Sequence, residues 1–143
     1  PIMLGLSIPG STFLARAYSG QPAQLLELTL AALKHTAEGR GMSYLEVLSP
    51  CVTYNDTYRD WRTSVYDVDA EEGYDPTNRA AAFTRMQELR EDKRLPLGLI
   101  FKGERHALES VALNKDFPPP ALQDIGRPDL SGICNDALQS FIR

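Results

Sequence analysis

Cysteine is almost missing from these 143 residues: only Cys51 and Cys134 occur, and no Cys-x-x-Cys pair. The chain by itself can therefore complete neither a tetrahedral zinc site nor an iron–sulfur centre, both of which need several thiolate or imidazole ligands. Nothing in the spacing brings the two thiols together, so no disulfide is expected. Histidine is equally scarce. His35 falls at the end of a helical stretch, where it can satisfy terminal carbonyls, and His106 falls in a charged tail beside Glu104 and Arg105. Positive charge is not in excess: 15 Lys and Arg against 19 Asp and Glu leave a net charge of −4 and a pI near 5.1. That balance excludes a nucleic-acid or anionic-membrane surface of the usual basic kind. No apolar run approaches the roughly 18 residues of a membrane span, and no basic leader precedes an apolar core, so a cytoplasmic protein is expected. The phosphate-cradling Gly-x-Gly-x-x-Gly and P-loop patterns are missing, as is the Gly-x-Ser-x-Gly nucleophile elbow. The acids between Asp67 and Glu72 lack the spaced ligands and glycine of a calcium loop and read as a solvated segment.

What is present is an ordinary globular composition, 43% hydrophobic and 24% charged, in a chain of one-domain length. It opens on Pro1 without an initiator Met and runs straight into Ile2–Pro9, which reads as the later part of a longer polypeptide. Residues 12–18 form a strand entered through Gly10 and left at Ser19-Gly20. Pro22 suits the first turn of a helix over residues 22–35. Its many leucines and alanines cover more than one face, which predicts wide burial. A second strand ends at Leu48. Strand, helix and strand make a βαβ unit, so the two strands should be parallel neighbours joined by a right-handed crossover. Residues 57–75 mix aromatics and acids with no clean period. Asp75-Pro76 fits a cap and first position for a helix over about 76–94, with Phe83, Met86 and Leu89 at three-residue steps. Leu97–Phe101 is a third strand. The fold class is α/β, a mostly parallel sheet with flanking helices. Residues 1–102 form its body and 103–143 an extended tail holding a possible short helix near 107–111, the triple proline 118–120, and Cys134 in a terminal helix near Leu138 and Phe141.

The most informative segment is Tyr44–Asp56. An apolar strand stops at Ser49-Pro50, which presents Cys51, and polar loop residues follow. A strand that delivers a thiol to its carboxyl end can position a metal or redox centre; it can equally hold a small buried hydrophobe, as cysteine often is. Pro50 limits the loop backbone and Ser49 can bond back to it. The residues alone leave both readings of Cys51 open. For Cys134, packing against its helical neighbours is the simpler account.

Gly10 through Gly20, the Gln24-Leu25 helix, Tyr44 through Asp56, Tyr74 through Ala82 and the Leu97–Phe101 strand together resemble the beta subunit of 2-oxoacid:ferredoxin oxidoreductases, with the 2-oxoglutarate type the nearest in likeness. The resemblance covers about residues 5–102, and Ser49-Pro50-Cys51 behind Leu45–Leu48 is its most specific block. It implies the carboxyl-terminal part of a thiamine diphosphate-binding fold. It further implies a coenzyme A-dependent oxidative decarboxylation of a 2-oxoacid, with electrons passing through a [4Fe–4S] cluster to ferredoxin. Thiamine diphosphate, Mg2+ and the cluster are the implied cofactors. An alpha-type subunit, the amino-terminal half of the beta subunit and ferredoxin are the implied partners. Cys51 matches the cluster ligand outside the family's amino-terminal half, and no residue here matches a catalytic, thiamine or cation position. The Cys-Pro-Gly-Cys stretch and the Gly-Asp-Gly…Asn motif of the family are not in this sequence, so the chain alone should be inactive. The rival expectation is a cofactor-free module that only docks subunits.

Overall fold

Gly10 and Ser19-Gly20 bracket a run that apart from Thr12 and Arg16 is apolar or small on both faces, and such a strand is most stable inside a covered sheet. The computed structural model, which describes residues 1–106, places it there. The elements are α1 (Ile2–Ser7), β1 (Ser11–Tyr18), α2 (Pro22–Ala37), β2 (Met42–Leu48), α3 (Tyr58–Ser64), β3 (Val65–Asp67), a 3-10 turn (Val68–Ala70), α4 (Arg79–Glu91) and β4 (Leu95–Lys102). The strands form one sheet in the order β2-β1-β4-β3. β1 and β2 are parallel, with Leu14 beside Tyr44 and Tyr18 beside Leu48, as the βαβ reading required. β3 and β4 are also parallel, whereas β4 runs antiparallel to β1. The 107–111 helix, the triple proline and Cys134 lie outside the described residues.

Alternation along β1 divides the core. Leu14 joins Ile2, Leu6, Val68, Ala82, Met86, Leu89, Ile100 and Phe101 on the face covered by α1 and α4. Phe13, Ala15 and Ala17 join Leu28 and Ala32 on the face covered by α2. Each fully buried large aliphatic side chain contributes roughly 1.5–3 kcal/mol by leaving water, which is why an eight-residue strand buried on both faces anchors the whole sheet.

Three expectations need correction. First, α2 is not widely buried. Leu28, Ala32 and His35 face the sheet, while Leu26, Leu30 and Leu33 are 60%, 57% and 63% exposed. The sheet covers one side of this helix, and among the described residues nothing covers the other. Second, the later helix starts at Arg79, not at Pro76. Asn78 Oδ1 accepts from Ala81 N–H at 3.1 Å and caps it, while Asp75 is spent on a local turn, accepting from Thr77 N–H at 2.9 Å and Thr77 Oγ1–H at 2.7 Å. A true cap displaces a look-alike three residues earlier because only one residue can receive the first free helical N–H groups. Third, the acids near Asp67 are structural and not merely solvated. Asp69 accepts from Leu99 N–H at 3.1 Å, and Glu71 pairs with Arg85 at 2.9 Å. Gly98 has φ +106°, and a Cβ there would meet Asp69 Oδ2 at 2.6 Å, so only glycine lets the carboxylate approach β4. Burial pushes the Asp69 carboxyl up despite the Leu99 bond.

His35 is buried, and it does not cap the helix through terminal carbonyls. Its Nε2 lies 3.1 Å from Thr12 Oγ1, and that hydroxyl already donates to the Met42 carbonyl at 2.9 Å. With that hydrogen committed to Met42, Nε2 is the donor to Thr12, and Nδ1 has no hydrogen-bond partner among the described residues. Burial first, then the nearby Lys102 and Arg40 charges, hold the ring below its ordinary pKa. An unfolded His35 takes up its proton near pH 6.5 and the folded one only at lower pH, so the favourable contribution of the neutral ring is complete above about pH 6.5 and disappears as pH falls through the lowered folded value. Urea midpoints at about pH 7.5 and pH 5 should show this loss in the wild type, and a smaller loss in His35→Gln, whose amide can still donate to Thr12.

Candidate iron–sulfur ligand loop

The carboxyl ends of the parallel strands β1 and β2 lie side by side, and the Ser19 N–H donates to the Leu48 carbonyl at 2.9 Å to extend the ladder by one step. Beyond it Pro50 is buried and Cys51 is exposed, so the proline anchors the loop and the thiol faces outward. The loop closes on itself through backbone: Asn55 N–H donates to the Cys51 carbonyl at 2.8 Å, and Thr57 N–H to the Asn55 carbonyl at 3.0 Å. The expected clamp from the Ser49 hydroxyl is not among the hydrogen bonds of the described residues; main-chain turns do that work. They also point donors at the sulfur. Backbone N–H groups of Tyr54, Thr53 and Asn55, in that order of effect, hold the Cys51 thiol below its ordinary pKa against the opposing effect of burial. N–H groups that stabilise a thiolate favour the form that binds metal.

Where β1 ends, an aromatic cluster that sequence patterns alone do not assemble ties the strand to α3. Tyr18, at the end of β1, is 1% exposed and packs against Tyr58 and Trp61 with ring centroids 5.9 and 6.2 Å away. Its hydroxyl donates to the Tyr58 carbonyl at 3.3 Å, and the Ser19 and Tyr58 hydroxyls are 3.2 Å apart. Gly20 is tightly constrained too: a Cβ there would meet the Tyr18 ring at 2.4 Å. On the same face of β1, Arg16 forms an ion pair with its cross-strand partner Glu46 at 3.0 Å. A signal is available in the sequence, since Arg16 and Tyr18 are two residues apart on a strand and must share a face. The partners Tyr58 and Trp61, in a segment with no clean period, are placed only by the fold.

The chemical capacity of this site is limited and specific. Cys51 is the one cysteine among the described residues and its thiol is exposed, and no group of three or more His, Cys, Asp or Glu side chains among the described residues could hold a metal ion. His106 is exposed, His35 is committed to Thr12, and Cys134 lies outside the described residues. The donor set thus fits one ligand of a shared centre and does not fit a complete one. No helix of the described residues is long and apolar enough to cross a membrane.

Residues 51–114 match the family that represents the carboxyl-terminal region of the pyruvate ferredoxin oxidoreductase beta chain. The matched region begins at Cys51. The chain is 33% identical over 149 residues to the 2-oxoacid:ferredoxin oxidoreductase 2 subunit beta of Aeropyrum pernix, a match covering 91% of this chain and 46% of that protein. It is 34% identical to the enzyme 1 subunit beta of the same organism, covering 93% of this chain and 45% of that protein. A 2-oxoacid:ferredoxin oxidoreductase subunit beta of Saccharolobus solfataricus is 38% identical over 78 residues, 53% of this chain and 24% of that protein. The chain spans about half the length of the two Aeropyrum relatives. On these matches the chain belongs to the 2-oxoacid:ferredoxin oxidoreductase beta-subunit family and carries its carboxyl-terminal region.

Proposed function

We propose that this chain supplies one thiolate, Cys51, to a [4Fe–4S] cluster in a cytoplasmic 2-oxoacid:ferredoxin oxidoreductase, and that residues 1–102 are the carboxyl-terminal portion of that enzyme's thiamine diphosphate-binding domain. The observation that carries the reading is the exposed Cys51 thiol held at the end of parallel strands, with backbone N–H groups favouring its thiolate. The other cluster cysteines and the sites for thiamine diphosphate and Mg2+ belong to the amino-terminal half of the beta subunit, because this chain has no motif for them. The bound cluster supplies one-electron transfer. Cys51 has a ligand's role here, without acid–base or nucleophilic work. Buried Pro50 and the Cys51–Asn55 turn hold the loop that carries it. The proposed reaction is coenzyme A-dependent oxidative decarboxylation of 2-oxoglutarate, delivering electrons to ferredoxin in an assembly that includes an alpha-type subunit.

Ferredoxin reduction by the assembled enzyme, measured with 2-oxoglutarate, pyruvate and 2-oxobutyrate in turn, tests the assignment. Coenzyme A-dependent reduction fastest with 2-oxoglutarate is expected, and none from the 143-residue chain alone. A purified assembly in which every protein component remains associated but no iron is present would identify a docking module instead.

A further inference from the structure

The last turns of α2 and the end of β4 enclose a cavity of about 210 Å³. Phe13 and Leu99 give it an apolar floor, while Lys34, His35, Glu38, Arg40 and Lys102 bring charge and hydrogen-bonding groups to it. Main-chain bonds fix its surroundings: Gly103 N–H donates to the Thr12 carbonyl at 2.7 Å, and Arg105 N–H to the Arg40 carbonyl at 3.0 Å. Two lysines and one arginine against one glutamate leave this lining at +2, in a chain whose net charge is −4. The three cations are not equally committed. Arg40 is spent on Glu38 at 2.9 Å and on Glu104 at 3.1 Å. Lys34 reaches Glu38 only at 3.9 Å, and Lys102 makes no ion pair among the described residues. His35 lines the same cavity with Nε2 turned to Thr12 and with Nδ1 buried and unpartnered among the described residues. A buried polar nitrogen costs free energy until something completes it.

We propose that this cavity is a proton-linked binding site for a small tetrahedral dianion, inorganic sulfate or phosphate. Lys34 and Lys102 answer its two charges, over an apolar floor that strengthens the attraction. A monocarboxylate would leave one of the two ammonium groups unanswered. As the anion enters, His35 takes up a proton from water at Nδ1 and donates that N–H to an anion oxygen, keeping its Nε2–H on Thr12. Without an anion, the Lys102 and Arg40 charges oppose that proton, and the Glu104 charge and the Arg40 backbone favour it. Lys34 and Glu38 flank the ring on α2, and His106 stands with Arg40 and Glu104 on the adjoining surface. A dianion beside Lys102 reverses the balance. No residue of the site belongs to the Cys51 loop, so the inference does not depend on the cluster assignment.

Equilibrium dialysis of radiolabelled sulfate against the assembled enzyme, saturated with thiamine diphosphate, tests the site. Sulfate stays a dianion near neutral pH, so any pH dependence of its binding belongs to the protein. Wild-type affinity should rise at least about tenfold between about pH 8 and about pH 5.5. His35→Gln, whose amide can still donate to Thr12, should cut that rise to less than about twofold, whereas His106→Gln should keep it. Lys102→Met should weaken binding at least about tenfold at both pH values. Arg90→Met, which removes an exposed cation of α4, should not. Crystals of the same assembly soaked in selenate should show an anomalous peak between His35 and Lys102. Affinity that is independent of pH in the wild type, or equal in wild type and Lys102→Met, overturns the proposal. So does a cavity filled by protein in those crystals, whether by residues 107–143 or by another segment. A selenate peak without measurable sulfate binding in dialysis marks an adventitious ion only and overturns it as well.

Discussion

Cys51→Ser in the assembled enzyme should lose most of the iron and acid-labile sulfide per beta subunit, and ferredoxin reduction should slow by at least about tenfold. Iron in such clusters is held by soft thiolates, and serine offers a hard oxygen that is protonated at neutral pH. The backbone donors at Thr53, Tyr54 and Asn55 favour a thiolate at this position; they cannot bring a hydroxyl of far higher pKa to its anion. Thiamine diphosphate should still bind, since its site is proposed to lie in the amino-terminal half. Two controls separate ligand loss from loop damage. Val52→Ser changes an exposed neighbour, 70% accessible, and should retain the cluster. Cys134→Ser should leave iron unchanged. Equal iron and sulfide in wild type and Cys51→Ser would sink the assignment.

Arg79→Met should lower the unfolding free energy by about 2–3 kcal/mol, read from urea midpoints at constant slope. Arg79 opens α4 and reaches across to the end of α1 and the start of β1. Its Nη1 lies 3.0 Å from the Leu6 and Ile8 carbonyls and from Ser11 Oγ, and its Nη2 donates to the Ser11 carbonyl. The guanidinium sits 4.0 Å over the Phe101 ring. Methionine keeps the stem's packing while removing every guanidinium donor from the Leu6, Ile8 and Ser11 acceptors. Arg79→Lys should recover less than half of the loss, because one ammonium cannot reproduce a planar fork that spans several acceptors and stacks on an aromatic ring. A lysine variant as stable as the wild type would show that charge alone holds these segments together.

Local signals are strong wherever the residues concerned are neighbours in sequence. Pro22 after the Ser19-Gly20 break places α2, and the apolar run ended by Ser49-Pro50 places β2 and its loop. The parallel pairing of β1 and β2 follows from the length of the crossover. Cys51 stands out because a strand end, a proline and a thiol are adjacent in the chain. The exposure of its sulfur, and the donors that favour its thiolate, are not legible there: both depend on how the Cys51–Asn55 turn folds back. The exposed leucines of α2 escape sequence reading for a related reason. Composition reports how much apolar surface a helix carries, and only its neighbours decide how much of it is covered.

The sequence by itself determined the α/β class, the central βαβ unit, the cysteine of interest and the family resemblance, since each rests on patterns carried by short contiguous blocks. Tertiary structure alone decided that β4 enters beside β1 antiparallel, that Arg79 ties α1 to α4, that His35 serves Thr12, and that β2 is the last strand on its side of the sheet among the described residues. Those outcomes join residues far apart in the chain, 23 positions for Thr12 and His35 and 73 for Leu6 and Arg79, or set which strands are neighbours. At such separations many pairings satisfy the same local pattern, and simultaneous burial of both faces of β1 selects among them.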